Sequence, residues 1–511
     1  MALRSILPNL SSSETLCNAS FWRFVSSTTL PIDMPDKTAP FNKYQNDGLK
    51  NRLLRPIFPR RSATIVLQNW VDEGRKVSIS ELRGLAKQLM KRRRYKHAFE
   101  ILTWMEVQDM FPVSAADYAI RLQLIIEVQG LKEAEKYFAN IPNTAAQKAS
   151  CLPLLHCYVK ERATEKAEAL MLKMNGLGLI LSPHPFNEMM KLYMATSLFE
   201  KVSSVILQMK QNKIPRNVLS YNLWMSACGE LSGVVSAEMA YKEMVNDKDV
   251  EVGWSSLATL ANIYLKSGLV DKATLAVRNA EKKLSTCNRL GYFFLITLYA
   301  SLNNKDGALR LWEACKAVAG RITCANYMCI LLSMVKLGEI EKAEKVFMEW
   351  ESQCRKYDIR VSNILLGAYM RNGMMEKAEL LHHHTLEKGG SPNYKTWEIL
   401  MEGWVKSENM DKAIDAMKKG FAKLKHCDWR PSPGIVAAIA EYFEKNRRFE
   451  DAKCYLKVIR RVDLATLAVY KSLLRMHAYS QRPIQDIVRL MQEDRINMDD
   501  EISDLVQRFK V

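Results

Sequence analysis

The chain has 511 residues, 48% of them hydrophobic, and its 74 Lys and Arg exceed its 56 Asp and Glu by 18. Its apolar runs all fall short of the roughly 18 residues that a membrane-spanning helix needs, so we expect no membrane insertion. The positive excess favours a polyanionic partner. The eleven scattered cysteines, with no Cys-x-x-Cys pair, indicate buried thiols in a reducing compartment rather than a disulfide framework.

The first segment predicts an organelle-targeting leader. Residues 1–32 contain two basic residues, Arg4 and Arg23, one acidic residue, Glu14, and many Ser and Thr. This composition is typical of a transit peptide and lacks the apolar core of a secretory signal. We therefore predict a mitochondrial transit peptide over residues 1–32. A plastid transit peptide and a disordered tail are the alternatives.

Two short segments lead into the main body of the chain. Residues 33–60 are rich in Pro, Lys and Arg and are expected to form a linker. Residues 61–78 are expected to form an N-terminal capping helix, because the stretch 62–74 has an amphipathic helical pattern. A capping element of this kind covers the exposed first face of a repeat array.

From residue 79 onward, one small residue returns about every 35 residues. Its occurrences are Ala98, Ala134, Ala167, Ala237, Ala273, Ala308, Ala343, Ala378, Ala413 and Ala452, with Val202 in the one remaining slot. A period of this length is typical of a solenoid of helical hairpins, in which each hairpin packs mainly on its neighbours. A small side chain at a fixed place lets two helices approach closely.

Assigning each residue of this series to position 20 of a repeat of ~35 residues gives eleven repeats, and a weaker one that begins at Leu467 makes about twelve over residues 79–500. They begin near Ile79, Ala115, Lys148, Pro183, Val218, Trp254, Arg289, Cys324, Ile359, Tyr394, Pro433 and Leu467. Within a repeat, two helical patterns are separated by a turn near position 15, often a glycine such as Gly268, which suits the left-handed residue that ends a helix. The prediction is an all-α solenoid of helix-turn-helix repeats, followed by a C-terminal tail over residues 501–511.

The junctions between repeats resemble those of a known family. Residues 214–222, Ile-Pro-Arg-Asn-Val-Leu-Ser-Tyr-Asn, are similar to the junction between two pentatricopeptide repeats, typically Pro-Asp followed by Val-Thr-Tyr-Asn. The sequence Ser391-Pro392-Asn393 is similar. The resemblance covers residues 79–500, and the near-uniform repeat length resembles the P class of that family, whose members are organelle-targeted plant proteins. It implies a right-handed superhelix that binds single-stranded RNA along a concave groove.

The rival interpretation is the tetratricopeptide repeat, which binds proteins. That repeat normally carries a small residue at position 8 of its first helix. In this chain position 8 carries Ala261, Ile296, Leu331 and Leu366, so the small residue is mostly absent. The pattern therefore favours the pentatricopeptide family.

The resemblance also implies base-reading residues, because each pentatricopeptide repeat reads about one base. In that family the side chain at position 5 and the last residue of the repeat address the base edge. Asn187 would then pair with Asn217 and Asn363 with Asn393, each pair favouring a pyrimidine, and Asn222 is a further candidate at position 5. The alternative is that an Asn near a helix start only caps the helix. The remaining position-5 residues include Arg83, Ala119, Leu152, Ala258, Phe293, Met328, Glu398 and Ala437.

A second pattern concerns position 13, near the end of each first helix. Position 13 lies within ~20° of position 2 around a helix, so both are expected to face the groove. Seven repeats carry a cation there: Lys91, Lys160, Lys266, Lys336, Arg371, Lys406 and Lys445. We predict that these residues contact RNA phosphates. The alternative is that the helix dipole favours cations at helix C-termini.

The motifs of common enzymes are missing from the sequence. There is no Gly-x-x-x-x-Gly-Lys-Ser/Thr loop and no Gly-x-Ser-x-Gly elbow. Consecutive histidines at 382–384 point to different faces of a helix, which argues against a metal site. We expect no catalytic activity, no cofactor, no metal and no small-molecule substrate.

The sequence thus predicts a non-catalytic protein that binds organellar RNA and acts in mitochondrial RNA stability, processing or translation. The alternative is a structural adaptor that binds protein partners, for instance in a mitochondrial ribosome or another organellar assembly. Apolar residues at position 5, namely Leu152, Phe293 and Met328, favour the adaptor.

Overall fold

The computed structural model describes residues 48–54, 62–108, 113–142, 144–286, 289–422 and 430–508. Within these ranges the chain forms 27 helices and no strand, so the predicted all-α fold is confirmed. The transit peptide predicted over residues 1–32 lies outside the described residues. The chain divides into two compact units, Met1–Thr286 and Cys287–Val511.

The first unit holds fourteen helices among its described residues. They are α1 (Leu49–Leu54), α2 (Ala63–Asp72), α3 (Ile79–Lys91), α4 (Tyr95–Val107), α5 (Ala115–Val128), α6 (Leu131–Ala139), α7 (Thr144–Lys160), α8 (Thr164–Gly176), α9 (Pro183–Ala195), α10 (Phe199–Gln211), α11 (Val218–Leu231), α12 (Val234–Asn246), α13 (Trp254–Lys266) and α14 (Val270–Glu281). From α3 onward, odd-numbered helices are the first helices of repeats and even-numbered helices are the second.

The second unit continues the same alternation. Its described helices are α15 (Leu290–Ser301), α16 (Lys305–Lys316), α17 (Cys324–Lys336), α18 (Ile340–Gln353), α19 (Ile359–Arg371), α20 (Met375–Glu387), α21 (Tyr394–Lys406), α22 (Met410–Phe421), α23 (Pro433–Lys445), α24 (Phe449–Arg460), α25 (Leu467–Tyr479), α26 (Gln485–Glu493) and α27 (Asp500–Arg508). Within each unit, most first helices pack on their own second helix and on the first helix of the next repeat, as α9 does on α10 and α11.

The helix starts follow the alanine period closely. Among the described helices, nine first helices begin at the residue that this period gives, and a tenth begins at Leu467, the predicted start of the weaker last repeat. The exceptions are α7, which starts earlier at Thr144, and α15, which starts one residue later at Leu290. Capping side chains fix several starts: Ser114, Asn217 and Thr323 each accept a hydrogen bond from the backbone N–H three residues on.

The recurring small residue is buried in the first turn of each second helix. All ten alanines of the series and Val202 are at most 3% exposed. A larger side chain at this place would have to push the packed helices apart, which explains why alanine returns in nearly every repeat.

The turn between the two helices needs a left-handed residue, as the sequence predicted. Gly268, Gly338 and Gly373 adopt φ between 72° and 74° there. Other repeats place a non-glycine residue in the same conformation, for example Arg162 and Glu408, with φ of 56° and 59°. The left-handed conformation is therefore required by the way the first helix ends, and glycine is the residue that adopts it with the least strain.

A polar contact recurs between neighbouring repeats. Glu238 on α12 accepts hydrogen bonds from the Tyr264 hydroxyl on α13 at 2.8 Å and from the Lys272 ammonium on α14 at 2.9 Å. The same set forms at Glu168, Tyr193 and Lys201 and at Glu344, Tyr369 and Lys377. This contact gives a structural reason for the lysine that directly precedes the buried alanine, because it ties each second helix to the preceding repeat.

The segments that flank the array carry more structure than the sequence indicated. Residues 49–54, placed in the linker, form α1, whose Leu49 and Leu53 are buried. Arg94 donates a hydrogen bond to the Leu53 carbonyl at 2.9 Å and Arg92 to the Leu54 carbonyl at 3.3 Å, so both arginines cap the end of α1. Most of the predicted C-terminal tail is likewise helical, as α27.

Candidate nucleic-acid interface

Asn187 and Asn217, the first predicted base-reading pair, are in direct contact. The Asn187 Nδ2 atom donates a hydrogen bond to Asn217 Oδ1 at 3.1 Å. A third residue, Ser220, completes the group, because its hydroxyl donates to Asn187 Oδ1 at 2.8 Å. Asn187 is only 2% exposed and Ser220 is fully buried, whereas Asn217 is half-buried.

The start of α11 determines how the two amides are oriented. Asn217 Oδ1 accepts the backbone N–H of Ser220 at 3.0 Å, and this N–H can only donate. The Asn217 oxygen must therefore face the helix, and Asn187 must turn its Nδ2 toward that oxygen. Asn217 Nδ2 then makes no hydrogen bond to any described residue and is open to solvent. The pair presents an NH₂ donor on its outer side.

The second predicted pair repeats this arrangement five repeats later. Asn363 Nδ2 donates to Asn393 Oδ1 at 3.3 Å, and the Thr396 hydroxyl donates to Asn363 Oδ1 at 2.9 Å. Asn393 Oδ1 also accepts the backbone N–H of Thr396 at 3.0 Å. The structure thus brings together both pairs predicted from the sequence, and in each it adds a hydroxyl that the sequence analysis missed. The signal was present in the sequence as Ser or Thr three residues after the capping Asn.

A charged variant of the group occupies the first repeat. Arg83 at position 5 donates from Nε to Asp117 Oδ1 at 2.8 Å, and Asp117 is the third residue after the capping Ser114. Burial raises the pKa of Asp117, but hydrogen bonds from Arg83 and Ser114 outweigh it and hold the pKa below its ordinary value. The side chain at position 5 therefore reaches the third residue of the next repeat here as well.

Asn222, the remaining candidate, lacks such a partner set. Its Nδ2 donates to Ser255 Oγ at 3.3 Å, while its Oδ1 is buried and has no hydrogen-bond partner among the described residues. The last residue of its repeat is Gly253, which has no side chain to offer. Ser256, the third residue after the repeat boundary, has a buried hydroxyl that is also without a partner in the described part of the chain.

The apolar residues at position 5 are not equally available to a partner. Phe293 is 7% exposed and packs against Trp312, with ring centroids 6.4 Å apart. Leu152, in contrast, is exposed. Phe293 therefore belongs to the core, and it no longer supports a protein-binding surface.

The seven cations at position 13 each form the last residue of a first helix, and all are exposed. In the first unit, two of them are neutralised by the preceding repeat. Lys160 lies 3.3 Å from Glu127, and Lys266 forms an ion pair with Glu230, both carboxylates being at position 13 themselves. The row of cations at position 13 that the sequence predicted is thus interrupted in the first unit.

The second unit keeps the row positive. Its position-13 cations are Lys336, Arg371, Lys406 and Lys445, and none of them is ion-paired with a described carboxylate. Lys336 Nζ donates to Ser301 Oγ at 3.0 Å, which shows that position 13 of one repeat lies next to position 13 of the next. Four consecutive repeats therefore place a free cation on the same edge.

Carboxylates lie beside this row. Burial and the neighbouring Glu398 raise the pKa of Glu402, while Lys395, Lys406 and Arg371 act in the opposite direction. Glu398 itself is paired with Lys395 at 2.6 Å. The charge on this face therefore depends on the protonation of Glu402.

Among the described residues, no group of His, Cys, Asp and Glu has the arrangement of a metal site. His382 packs on Trp397 with ring centroids 5.4 Å apart, and His384 contacts Glu351 at 2.9 Å, so these neighbours have different contacts. None of the helices in the described part of the chain is long and apolar enough to cross a membrane.

Comparison with known families gives two matches. A family model described as a pentatricopeptide repeat domain matches residues 169–231, and a model described as a PPR repeat matches residues 361–390. The first match includes Asn187 and Asn217, and the second includes Asn363.

Similar proteins carry the same description. A pentatricopeptide repeat-containing protein of Arabidopsis thaliana is 57% identical over 455 residues, covering 88% of this chain and 93% of its own. Another from the same plant, whose name adds the word mitochondrial, is 32% identical over 445 residues, covering 86% and 82%. A crystal structure of the pentatricopeptide repeat protein PPR10 in complex with an 18-nt psaJ RNA element aligns with a TM-score of 0.36 and 14% identity, over 86% of this chain and 80% of that chain.

Proposed function

Because the chain belongs to the pentatricopeptide repeat family, we propose that it binds single-stranded RNA through the first helices of its repeats. The observation that carries this proposal is the pair of Asn groups at Asn187–Asn217 and Asn363–Asn393. In each, the capping Asn uses its oxygen to hold the helix start and keeps its NH₂ open to solvent.

The exposed NH₂ suits recognition of an acceptor on a base edge. Pyrimidines carry such an acceptor at O2, but purines carry edge acceptors as well, so the choice of a pyrimidine follows from the family resemblance and not from the donor alone. The capping role and the base-reading role therefore do not exclude each other, since they use different atoms of Asn217. We expect a pyrimidine opposite each of the two groups.

The cations at position 13 supply the attraction for the phosphate backbone. Lys336, Arg371, Lys406 and Lys445 each end a helix and form no ion pair with a described carboxylate, so they are available to phosphates. The second unit is therefore expected to contribute more of the salt-dependent affinity than the first.

The RNA partner is proposed to be mitochondrial. The composition of residues 1–32 supports this, as does the name of the relative at 32% identity. The bound chain would act without chemistry of its own, by shielding RNA from nucleases or by keeping a site unpaired for processing or translation. A fluorescent reporter that carries residues 1–60 should enter mitochondria. Import into plastids would move the proposal to that organelle, and a cytosolic reporter would contradict it.

Selection of random single-stranded RNA by the purified chain from residue 33 onward tests the binding proposal. This boundary retains α1, which packs on α2. Enrichment of a motif with two pyrimidines about five nucleotides apart is expected, because the two Asn groups lie five repeats apart and each repeat reads about one base. Binding without enrichment would leave a sequence-tolerant RNA clamp. Absence of binding at moderate salt would favour the protein adaptor.

A further inference from the structure

We infer that Ser220 and Thr396 are positioning residues that set the base specificity of the two Asn groups, and that Asn222 and Ser256 form an incomplete third group. The inference rests on the proposed RNA binding. It concerns the third residue of a repeat, a place to which neither the family resemblance nor the comparisons assign a role in reading bases.

Among the described residues, the hydroxyl is the one group that donates to the oxygen of the buried Asn. Ser220 Oγ lies 2.8 Å from Asn187 Oδ1 and 3.1 Å from Asn217 Oδ1, and it accepts the backbone N–H of Asn217 at 3.3 Å. A hydroxyl has a single proton, and the shorter contact assigns it to Asn187. Without that proton, the buried oxygen of Asn187 would lose its donor, and only the hydrogen bond from Nδ2 to Asn217 would oppose rotation of the amide.

A turned amide would change what the groove presents. If Asn187 rotated, its oxygen would face the Asn217 oxygen, which the α11 N–H keeps in place. The two oxygens repel each other, so Asn217 would shift and its outward NH₂ would lose its fixed direction. The discrimination between bases depends on that direction, whereas attraction to the phosphate backbone does not.

The incomplete group shows what happens when the last residue is missing. Asn222 Oδ1 and Ser256 Oγ occupy the positions of Asn187 Oδ1 and Ser220 Oγ, yet both are buried without a partner among the described residues. They differ from the complete groups in the last residue of the repeat, which is Gly253 in place of Asn. Gly253 follows Asn222 by 31 residues, whereas the last Asn of the repeat follows the Asn at position 5 by 30 residues in both complete groups.

The backbone at Gly253 already has the conformation that a capping Asn needs. Its φ and ψ are −97° and −176°, close to −114° and 177° at Asn217 and −105° and 179° at Asn393. A Cβ added at Gly253 meets no atom within 4 Å. The substitution Gly253→Asn should therefore cap α13 and bring Asn222 and Ser256 into a complete group.

The test measures base preference at each position with RNAs that vary one nucleotide at a time. Ser220→Ala should reduce the preference at the first selected pyrimidine by about tenfold and leave the second unchanged, and Thr396→Ala should do the reverse. Ser220→Thr and Thr396→Ser should retain both preferences, because each variant keeps a hydroxyl at this position, of the type that the other group already uses. Gly253→Asn should create a new preference at the nucleotide adjacent to the first pyrimidine.

Asn326→Ala is the matched control. It removes a capping box at the start of α17, where position 5 of the preceding repeat is Phe293 and no amide depends on the box. It should lower thermal stability as Ser220→Ala does, without changing any base preference. Unchanged preferences in Ser220→Ala and Thr396→Ala, with RNA still bound, would overturn the inference and leave the proposed function intact. Failure of the wild-type chain to bind RNA would overturn both.

Discussion

The ammonium of Lys160 lies 3.3 Å from the carboxylate of Glu127, and the two residues occupy the same position in successive repeats. Lys266 and Glu230 repeat the relationship. The cations at position 13 are therefore of two kinds, neutralised in part of the first unit and free in the second. This difference allows the phosphate-contact hypothesis to be tested with substitutions that remove equal charge.

The double substitution Lys406→Ala, Lys445→Ala should weaken RNA binding and flatten its salt dependence. For single-stranded RNA, each lost phosphate contact lowers the slope of log K against log salt by about 0.7. Lys160→Ala, Lys266→Ala removes the same charge but should change the slope less, because Glu127 and Glu230 already compensate these lysines. Equal effects of the two double variants, measured by fluorescence anisotropy over a range of salt, would contradict this distinction.

Removal of the compensating carboxylates should have the opposite effect. Glu127→Gln, Glu230→Gln frees Lys160 and Lys266 to contact phosphates while keeping the size of the side chains. Affinity for an unstructured RNA should rise, and the salt dependence should steepen. A lower affinity in the same anisotropy assay would show that the ion pairs are needed to shape the surface.

The affinity for RNA should increase as the pH falls toward the raised pKa of Glu402. Burial and Glu398 raise this pKa, so Glu402 takes up a proton at a higher pH than an ordinary glutamate. Protonation removes a negative charge beside Lys406 and Arg371, which strengthens the attraction to phosphates. Because the pKa is higher in the folded chain, protonation also favours the folded state as the pH falls through it.

Glu402→Gln should bind RNA more tightly than the wild type at neutral pH and should show a weaker pH dependence. Glu387→Gln, at the exposed end of α20, is the control and should leave the profile unchanged. An unaltered pH profile in Glu402→Gln, measured at constant ionic strength, would assign the dependence to another group.

Asn217→Ala should destabilise the fold as well as alter base reading. Loss of a capping Asn costs about 0.5–2 kcal/mol in the free energy of unfolding. Asn175→Ala, at an exposed site on α8, should stay within about 0.5 kcal/mol of the wild type. Chemical denaturation followed by circular dichroism checks both values. Full stability in Asn217→Ala would mean that the cap contributes nothing to folding.

The buried site of the recurring small residue can be tested by adding volume in one repeat and removing volume in another. Ala343→Val adds volume to a site that is fully buried and should cost about 1–3 kcal/mol. Val202→Ala removes two methyl groups from the corresponding site, which should cost ~1.6 kcal/mol at about 0.8 kcal/mol per buried carbon. Thermal denaturation of both variants checks the prediction, and a neutral Ala343→Val would show that the hairpin tolerates valine generally.

Local rules made the repeats predictable. The helix start at Val218 needs only the capping residue Asn217. The turn at Gly268 needs only a residue in the left-handed conformation. Both can therefore be identified from a few neighbouring residues in the sequence. The alanine period then fixes where each hairpin lies, because Ala343 and its counterparts occupy the same buried place. The structured ends were missed, since α1 depends on arginine side chains forty residues away in the chain, such as Arg94.

The sequence by itself determined the fold class and the start of most first helices, because helix caps, turns and a fixed repeat length are properties of the linear chain. The pairing of Asn187 with Asn217 followed from the family resemblance. Only the tertiary structure decided which polar atoms face outward and which cations stay free. The buried oxygen of Asn187 accepts its hydrogen bond from Ser220, 33 residues away, and Lys160 is neutralised by Glu127 at the same separation. Contacts over such distances depend on how adjacent first helices pack, and the side-chain packing between repeats sets that geometry.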